Sequence, residues 1–475
     1  MNDYCASDND GRYDLAVLGA GSAGFSAAIT AAGNGAKVAL IGHGAIGGTC
    51  VNVGCVPSKA MIRAAEAIHG AKSASRFPGI AGDARVENWA QLVTSKDQLV
   101  SGLQQKKYTD LLPEYENVDY FDEGPARLVE GGVQIGERLI LAPKIIVATG
   151  GRPSLPPIKG IDEVSTLNST GLLDLKILPK SLIFIGGGYI GSELALMMAR
   201  MGVEVTIICR SHLLPGAEPE ISVALTESFR TEGITIYCGS TYDACRQDTS
   251  GVTICIKHEG ERLELTADAL AVMTGRTPNT EGLGLEDVGV ALDRRGAIVV
   301  GDNMQTSNPD IYAAGDVTNR DQFVYMAAYG AKLAAMNAVA MGSESYDNSA
   351  LPWVVFTDPQ VAGVGLSEAE AREAGFDVET SVVPLDQVPR ALAARDTRGL
   401  IKLVADRKTD KLLGGQIMAP EGSDSIQTLV MALKFGMTAK ALGETIFPYL
   451  TTVEGLKLAA QTFDKDVTKL SCCAG

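Results

Sequence analysis

Two cysteines with four residues between them stand in the run Gly47-Gly48-Thr49-Cys50-Val51-Asn52-Val53-Gly54-Cys55-Val56-Pro57-Ser58-Lys59. The spacing predicts that they open a helix, whose N-terminal partial charge favours thiolate over thiol. A thiolate is a nucleophile, a redox group and a soft metal ligand. A zinc site would need a second Cys or His pair nearby, and none follows. Two buried structural thiols are the competing reading, which the flanking glycines and Pro57 disfavour. A second pair, Cys472-Cys473, stands near the end of the sequence. Adjacent Cα atoms lie ~3.8 Å apart, short of the ~4.4–6.8 Å usual for a disulfide. Such a pair resists closing on itself and offers two soft ligands to a soft metal ion; a fortuitous pair on a frayed tail is the alternative. Cys5 is alone, and Cys209, Cys238, Cys245 and Cys255 have no motif spacing and read as core or surface thiols.

Glycines supply a second kind of chemistry. Gly19-Ala20-Gly21-Ser22-Ala23-Gly24 follows the apolar run Tyr13–Leu18 and precedes an Ala-rich segment that stops at Gly33-Asn34-Gly35. A G-x-G-x-x-G turn between strand and helix brings bare backbone and a helix N-terminus up to a pyrophosphate. The second strand, Lys37–Ile41, should end in an acid for the ribose hydroxyls, but the sequence places Gly42 there, followed by His43, read as a solvent-facing side chain. Gly186-Gly187-Gly188-Tyr189-Ile190-Gly191 repeats the turn after Leu182–Ile185. Its second strand, Val205–Ile208, ends at Cys209-Arg210. An arginine there suits the 2′-phosphate of NADP, so NADPH is expected over NADH; a plain surface arginine competes with that reading.

These turns need elements to hold them. Residues 59–110 alternate at helical spacing and predict long helices. Arg152–Pro157 (RPSLPP) reads as a linker, and Ala271–Gly275 (AVMTG) repeats Ile146–Gly150 (IVATG) in muted form. Two nucleotide-binding domains are therefore expected, one inserted in the other. From Leu351 the pattern changes to antiparallel strands around Val354–Phe356 and Ile401–Val404, then helices at about 422–442 and 454–464. The 475 residues carry a net charge of −16, which disfavours nucleic acid as a partner. The composition excludes disorder and a small disulfide scaffold, and no apolar run approaches a membrane span. The first residues have no basic or apolar leader character, so a cytoplasmic location is expected, with the nine cysteines mostly reduced.

On the Gly47–Lys59 run, both glycine turns and Thr306–Asp316 (TSNPDIYAAGD), nearly the whole chain resembles the flavin-dependent pyridine nucleotide–disulfide oxidoreductase superfamily. The resemblance implies an α/β fold with two Rossmann-like nucleotide-binding domains, one inserted in the other, and a C-terminal α+β dimerisation domain. It implies bounds of 1–155 and 281–350 for the FAD-binding domain, 156–280 for the NADPH-binding domain and 351–475 for the dimerisation domain with its Cys-Cys tail. By the same resemblance Cys55 touches the flavin, Cys50 is the outer exchanging thiol, Asp316 holds the ribityl chain and Val324 lies beside the flavin. Gly19, Gly21, Gly24, Gly44, Thr49, Lys59 and Ala126 match FAD-contacting positions, and Gly186, Gly188, Gly191 and Arg210 match the NADPH side. Lys59 pairs with Glu193 near the flavin, and Tyr189 covers the nicotinamide pocket.

Most members of the superfamily carry a catalytic histidine in the last domain. The four histidines here are His43, His69, His212 and His258, and Tyr449 of Phe447-Pro448-Tyr449-Leu450-Thr451 stands in the histidine's place. That segment and the Cys472-Cys473 ending resemble the branch of the superfamily that reduces mercuric ion. The implied enzyme is a homodimer with active sites shared between subunits. Cys472 and Cys473 collect mercuric ion from thiol complexes, Cys50 and Cys55 receive it, and Tyr189 and Tyr449 line its route. A dihydrolipoamide- or glutathione-type disulfide reductase is the rival enzyme, and a flavoprotein that sequesters mercury without turnover is the rival outside enzymology. Many such reductases carry an extra N-terminal metal-binding domain with a C-x-x-C pair, which is not expected here.

Overall fold

The computed structural model describes residues 12–339 and 342–465; Cys5, Cys472 and Cys473 lie outside them. The described residues fall into two compact units. The first contains the residues up to Ser58, Val93–Ser154 and Gly275–Tyr346. Its centre is a parallel sheet in the order Ile311–Ala313, Lys144–Val147, Leu15–Leu18, Val38–Ile41, Val118–Phe121. Every residue of Leu15–Leu18 and of Val38–Ile41 is buried, which is why these strands read as unbroken apolar runs rather than as alternation. The helix Ser22–Gly33 packs against Val324–Ala338, and Ser26 Oγ donates to the Ala328 carbonyl at 2.7 Å.

The stretch expected to be a linker is ordered at its start. Gly151–Pro153 pairs antiparallel with Arg276–Pro278, and the Ser154 N–H donates to the Gly275 carbonyl at 3.0 Å. The Arg276 guanidinium bonds both the Gly151 carbonyl and the Asp316 carboxylate. Pro153 and Pro278 stand at the ends of these two edge strands, where a missing N–H costs the ladder nothing.

The second unit contains Lys59–Leu92, Leu155–Thr274 and the described residues from Asp347. One of its sheets is parallel, in the order Thr235–Tyr237, Glu204–Ile208, Ser181–Ile185, Ala269–Val272, Thr166–Leu167. Another is antiparallel, in the order Pro352–Val355, Gln360–Gly365, Leu412–Ala419, Leu400–Asp406, Val378–Pro384. An ion-pair cluster ties distant stretches of this unit together. Buried Arg200 bonds Glu232 at 2.7 Å and Asp358 at 2.8 Å, and Arg398 reaches Asp396 and Glu232 at 2.8 and 3.2 Å. Burial opposes ionisation of Glu232, but the Arg200 and His69 hydrogen bonds and charges hold it down at about 2.

The long helices expected over 59–110 are Cys55–Lys72 and Trp89–Gln104, separated by a short 3₁₀ turn and by an irregular segment containing Pro78, Gly79 and Gly82. One helical expectation needs correction. Residues 422–442 divide into Gly422–Lys434 and Ala439–Glu444. The break falls at Gly436, whose φ of +63° ends the first helix.

Candidate active site

The first glycine turn has the form its sequence requires. Gly19 has φ +118°, and a Cβ there or on Gly24 would fall on a backbone carbonyl, that of Ala148 or of Gly19. Gly21 caps the helix Ser22–Gly33 with no side-chain hydrogen bond, so no side chain covers the helix's first N–H groups. The Cys run is stitched to this turn. The Gly47 N–H donates to the Ala20 carbonyl at 2.8 Å, and Gly21 and Gly47 form an isolated bridge. Asn52 Nδ2 donates to the carbonyls of Ile46 and Gly48, while Gln104 Nε2 donates to Asn52 Oδ1 at 2.9 Å.

The cysteines do not open one helix as expected. Cys50 lies in the short helix Gly48–Asn52, and Cys55 is the first residue of the next, Cys55–Lys72. Gly54 stands between the two, and Pro57 falls in the first turn, where its missing N–H is harmless. Both cysteines are partly buried. Thr49 and Gly44 are exposed, and a Cβ on Gly44 would meet nothing within 4 Å. Asp316 opens a 3₁₀ turn with its carboxylate 3.1 Å from Arg276 Nε. Ala126 and Val324 each begin an element, the strand Ala126–Val129 and the helix Val324–Ala338, and both are half-buried.

The glycine in place of the ribose acid has a local cause. A Cβ on Gly42 would overlap the Tyr120 hydroxyl and approach Tyr120 Cε2 to 2.9 Å. Tyr120 reaches over Gly42 from the neighbouring strand Val118–Phe121. Burial, and then the Asp122 charge, push its phenol pKa upward, so it is a neutral donor. No pattern near Gly42 announces a residue 78 positions later, which is why Tyr120 escapes sequence reading.

In the second unit Gly186 has φ +110°, and a Cβ on it or on Gly191 would fall on the carbonyl of Met273 or of Gly186. Gly188 faces open space and caps Tyr189–Arg200 without a side-chain bond. Arg210 is exposed just beyond the strand Glu204–Ile208, and His43 of the first unit is exposed too. Tyr189 stacks on Trp353, with centroids 5.6 Å apart and planes at 25°, and burial pushes its phenol up to about 12. Lys59 Nζ lies 2.7 Å from Glu193 Oε2 and over the Phe356 ring at 4.8 Å. Glu193 Oε1 accepts the Phe356 N–H at 2.9 Å, so both oxygens of this buried carboxylate are satisfied. Trp353 and Phe356 carry no motif and were not expected at the site. Tyr449 is half-exposed, followed by Leu450 at φ +62°, whose N–H donates to Glu454 Oε2 at 3.0 Å.

Residues 13–341 match the family described as pyridine nucleotide-disulphide oxidoreductase, and residues 351–460 match that family's dimerisation domain. The chain is 46% identical over 472 residues to a mercuric reductase of Staphylococcus aureus, covering 98% of this chain and 85% of that one. It is 45% identical to a mercuric reductase of Streptomyces lividans, covering 98% of each. Among solved structures, the HOCl-induced flavoprotein disulfide reductase RclA of Escherichia coli aligns with a TM-score of 0.83 at 30% identity, over 95% of this chain and 100% of that one.

Proposed function

The chain belongs to the pyridine nucleotide-disulphide oxidoreductase family, and from that premise we propose that it reduces mercuric ion to elemental mercury with NADPH, through FAD and the Cys50 and Cys55 pair. The observation that carries the reading is near-full-length identity of 46% to a mercuric reductase. Mercuric ion on two thiolates, NADPH and one proton become elemental mercury, two thiols and NADP+.

Both nucleotides suit the residues present. Each turn offers bare glycine backbone and a helix N-terminus free of side-chain caps, which is what a pyrophosphate requires. FAD, when bound, supplies a two-electron relay. Gly19, Gly21, Gly24, Gly44, Thr49, Ala126, Asp316 and Val324 hold FAD, and the Tyr120 hydroxyl serves the ribose in place of an acid at Gly42. Gly186, Gly188, Gly191 and Arg210 hold NADPH, with Tyr189 braced by Trp353 over the nicotinamide end. Glu193 fixes the position of Lys59 Nζ through their 2.7 Å ion pair. Cys50 and Cys55 hold the ion as thiolates, and two-electron reduction leaves mercury with no affinity for them.

Residues 1–155 with 281–350 form the FAD-binding domain, 156–280 the NADPH-binding domain and 351–475 the dimerisation domain. The dimerisation domain makes the chain a homodimer. Within it, Cys472 and Cys473 of one subunit pass mercuric ion to the partner subunit's Cys50 and Cys55, past Tyr449. Among the described residues no helix is long and apolar enough to cross a membrane, and the enzyme works in the cytoplasm.

The test is NADPH oxidation with mercuric ion in excess small thiol, with mercury vapour measured in the gas phase. One mercury atom released per NADPH is expected. Metal uptake without NADPH oxidation would support a sequestering flavoprotein instead, and faster oxidation with glutathione disulfide or lipoamide would support a disulfide reductase.

A further inference from the structure

Cys209 and Cys238 are 29 residues apart in sequence but adjacent in the second unit. Each directly follows a strand of the parallel sheet, Glu204–Ile208 and Thr235–Tyr237, whose register pairs Ile208 with Tyr237. The next residue on both strands is therefore a thiol. The Cys209 S–H donates to Cys238 Sγ across 3.3 Å. That hydrogen bond, then the Leu213 backbone and the charges of Arg230 and His212, pull the Cys238 thiol below its usual range against the effect of burial. The same bond and burial drive Cys209 upward. The shared S–H···S contact favours the thiolate on Cys238 rather than on Cys209. Cys209 is buried and Cys238 partly exposed, so Cys238 is the side from which a ligand arrives.

The pair also touches the nucleotide turn. A Cβ on Gly187 would lie 3.5 Å from Cys209 Sγ, 3.3 Å from Cys209 Cβ and 2.7 Å from Leu213 Cδ2. The Leu214 N–H donates to the Gly187 carbonyl at 2.7 Å, and Arg210 is the residue after Cys209.

We propose that Cys209 and Cys238 form a second site for a thiophilic divalent cation, mercuric ion above all, and that filling it disables the nucleotide turn beside it. Among the described residues no cluster of three or more His, Cys, Asp or Glu side chains is placed to hold a metal, but a two-coordinate soft ion needs only two sulfurs. An ion arriving as Hg(SR)₂ exchanges one small thiolate for Cys238 and the other for Cys209. Two metal–sulfur bonds break and two form. The Cys209 proton leaves with one small thiol, the other departs as thiolate, and no electron moves. Metal–thiolate bonds are ~2.3 Å long for zinc, so two in a line do not fit between sulfurs 3.3 Å apart. The sulfurs must spread, and Cys209 spreads against Gly187 and carries Arg210 with it. Excess substrate then turns off the enzyme at its NADPH side. This consequence for NADPH rests on the nucleotide reading of the Gly186–Gly191 turn, whereas ion capture does not.

The experiment uses the FAD-loaded full chain with Cys50→Ala, Cys55→Ala, Cys472→Ala and Cys473→Ala, which removes the proposed catalytic thiols. It is equilibrated with mercuric ion in excess cysteine, desalted and assayed for mercury, and its NADPH affinity is measured by fluorescence before and after loading. We expect about one retained ion per chain, abolished by adding Cys238→Ser and unaffected by adding Cys245→Ser with Cys255→Ser. Loading should weaken NADPH binding by more than about tenfold, and not in the Cys238→Ser protein. Cys209→Ser should give the same loss of mercury, guarding against misfolding of either single variant. Equal retention with and without Cys238 overturns the site. Retention that depends on Cys238 but leaves NADPH affinity unchanged overturns the coupling. Absence of NADPH binding by the metal-free chain would refute the nucleotide reading, leaving capture to be judged on mercury content alone.

Discussion

The two glycine turns, Gly19–Gly24 and Gly186–Gly191, are built alike and finished differently. Each begins with a positive-φ glycine, +118° and +110°, and each packs its last glycine directly onto the carbonyl of its first. Each leaves the first N–H groups of its helix without a side-chain cap. They part at the end of the second strand, where Gly42 lies under Tyr120 and Gly187 lies against Cys209, beside Arg210. The shared part suits the geometry of a pyrophosphate, which every dinucleotide carries. In the proposed reading the divergent part serves the adenosine end, where each nucleotide is distinguished, and there a side chain from a neighbouring strand can replace one from the turn's own.

The common framework is tested most severely by Gly24→Ala and Gly191→Ala. Either Cβ lands on a backbone carbonyl, and overpacking of this kind costs ~1–3 kcal/mol while displacing the helix N-terminus from the phosphate. Gly24→Ala should purify nearly without flavin by its absorbance, and Gly191→Ala should lose NADPH binding in a fluorescence titration. Gly21→Ala is the contrasting case: its Cβ would be 3.5 Å from Gly48 Cα, so its melting temperature should stay near that of the unchanged chain. Normal flavin content in Gly24→Ala would remove the packing argument.

The divergent end gives progressively smaller effects. Gly42→Glu alone should lower stability by ~1–3 kcal/mol through collision with Tyr120, and Tyr120→Ala should restore most of the loss, as read from urea midpoints. Arg210→Glu removes a charge-assisted bond worth ~1.5–3 kcal/mol, so the NADPH:NADH ratio of kcat/KM should fall by about tenfold or more. An unchanged ratio would leave Arg210 as a surface charge. Tyr120→Phe removes one neutral hydrogen bond, worth ~0.5–1.5 kcal/mol. The FAD dissociation constant, measured by flavin fluorescence, should rise by a factor of about two to ten, with NADPH affinity untouched; a shift in NADPH affinity instead would misplace the residue.

What the sequence disclosed follows from range. The turns, Cys50 and Cys55 are local patterns, and buried strands such as Leu15–Leu18 are recognisable as apolar runs ended by glycine. The approach of Lys59 to Glu193 was expected only through resemblance, since nothing in either residue's surroundings names the other. Tyr120 over Gly42, Trp353 against Tyr189, and Cys209 beside Cys238 depend on which strands become neighbours and in what register, which is a property of the folded sheet. The reading of 422–442 as one helix overextends it, because a single punctuating residue, Gly436, outweighs a continuing apolar period.

The ladder between Gly151–Pro153 and Arg276–Pro278 has a bearing on ancestry and on engineering. At the longest of its internal departures from the first unit the chain leaves at Ser154 and re-enters at Gly275, and those two residues are hydrogen-bonded neighbours. Whatever lies between them is spliced in at a single point, as a branch is grafted onto a stem, and the host sheet spans the graft without a gap. An ancestral gene could therefore have gained the insert by one recombination event without disturbing a strand of the host. The same geometry marks Ser154 and Gly275 as the places to cut when transplanting a nucleotide module of different specificity, with a tight turn enough to rejoin the ends if nothing is put back.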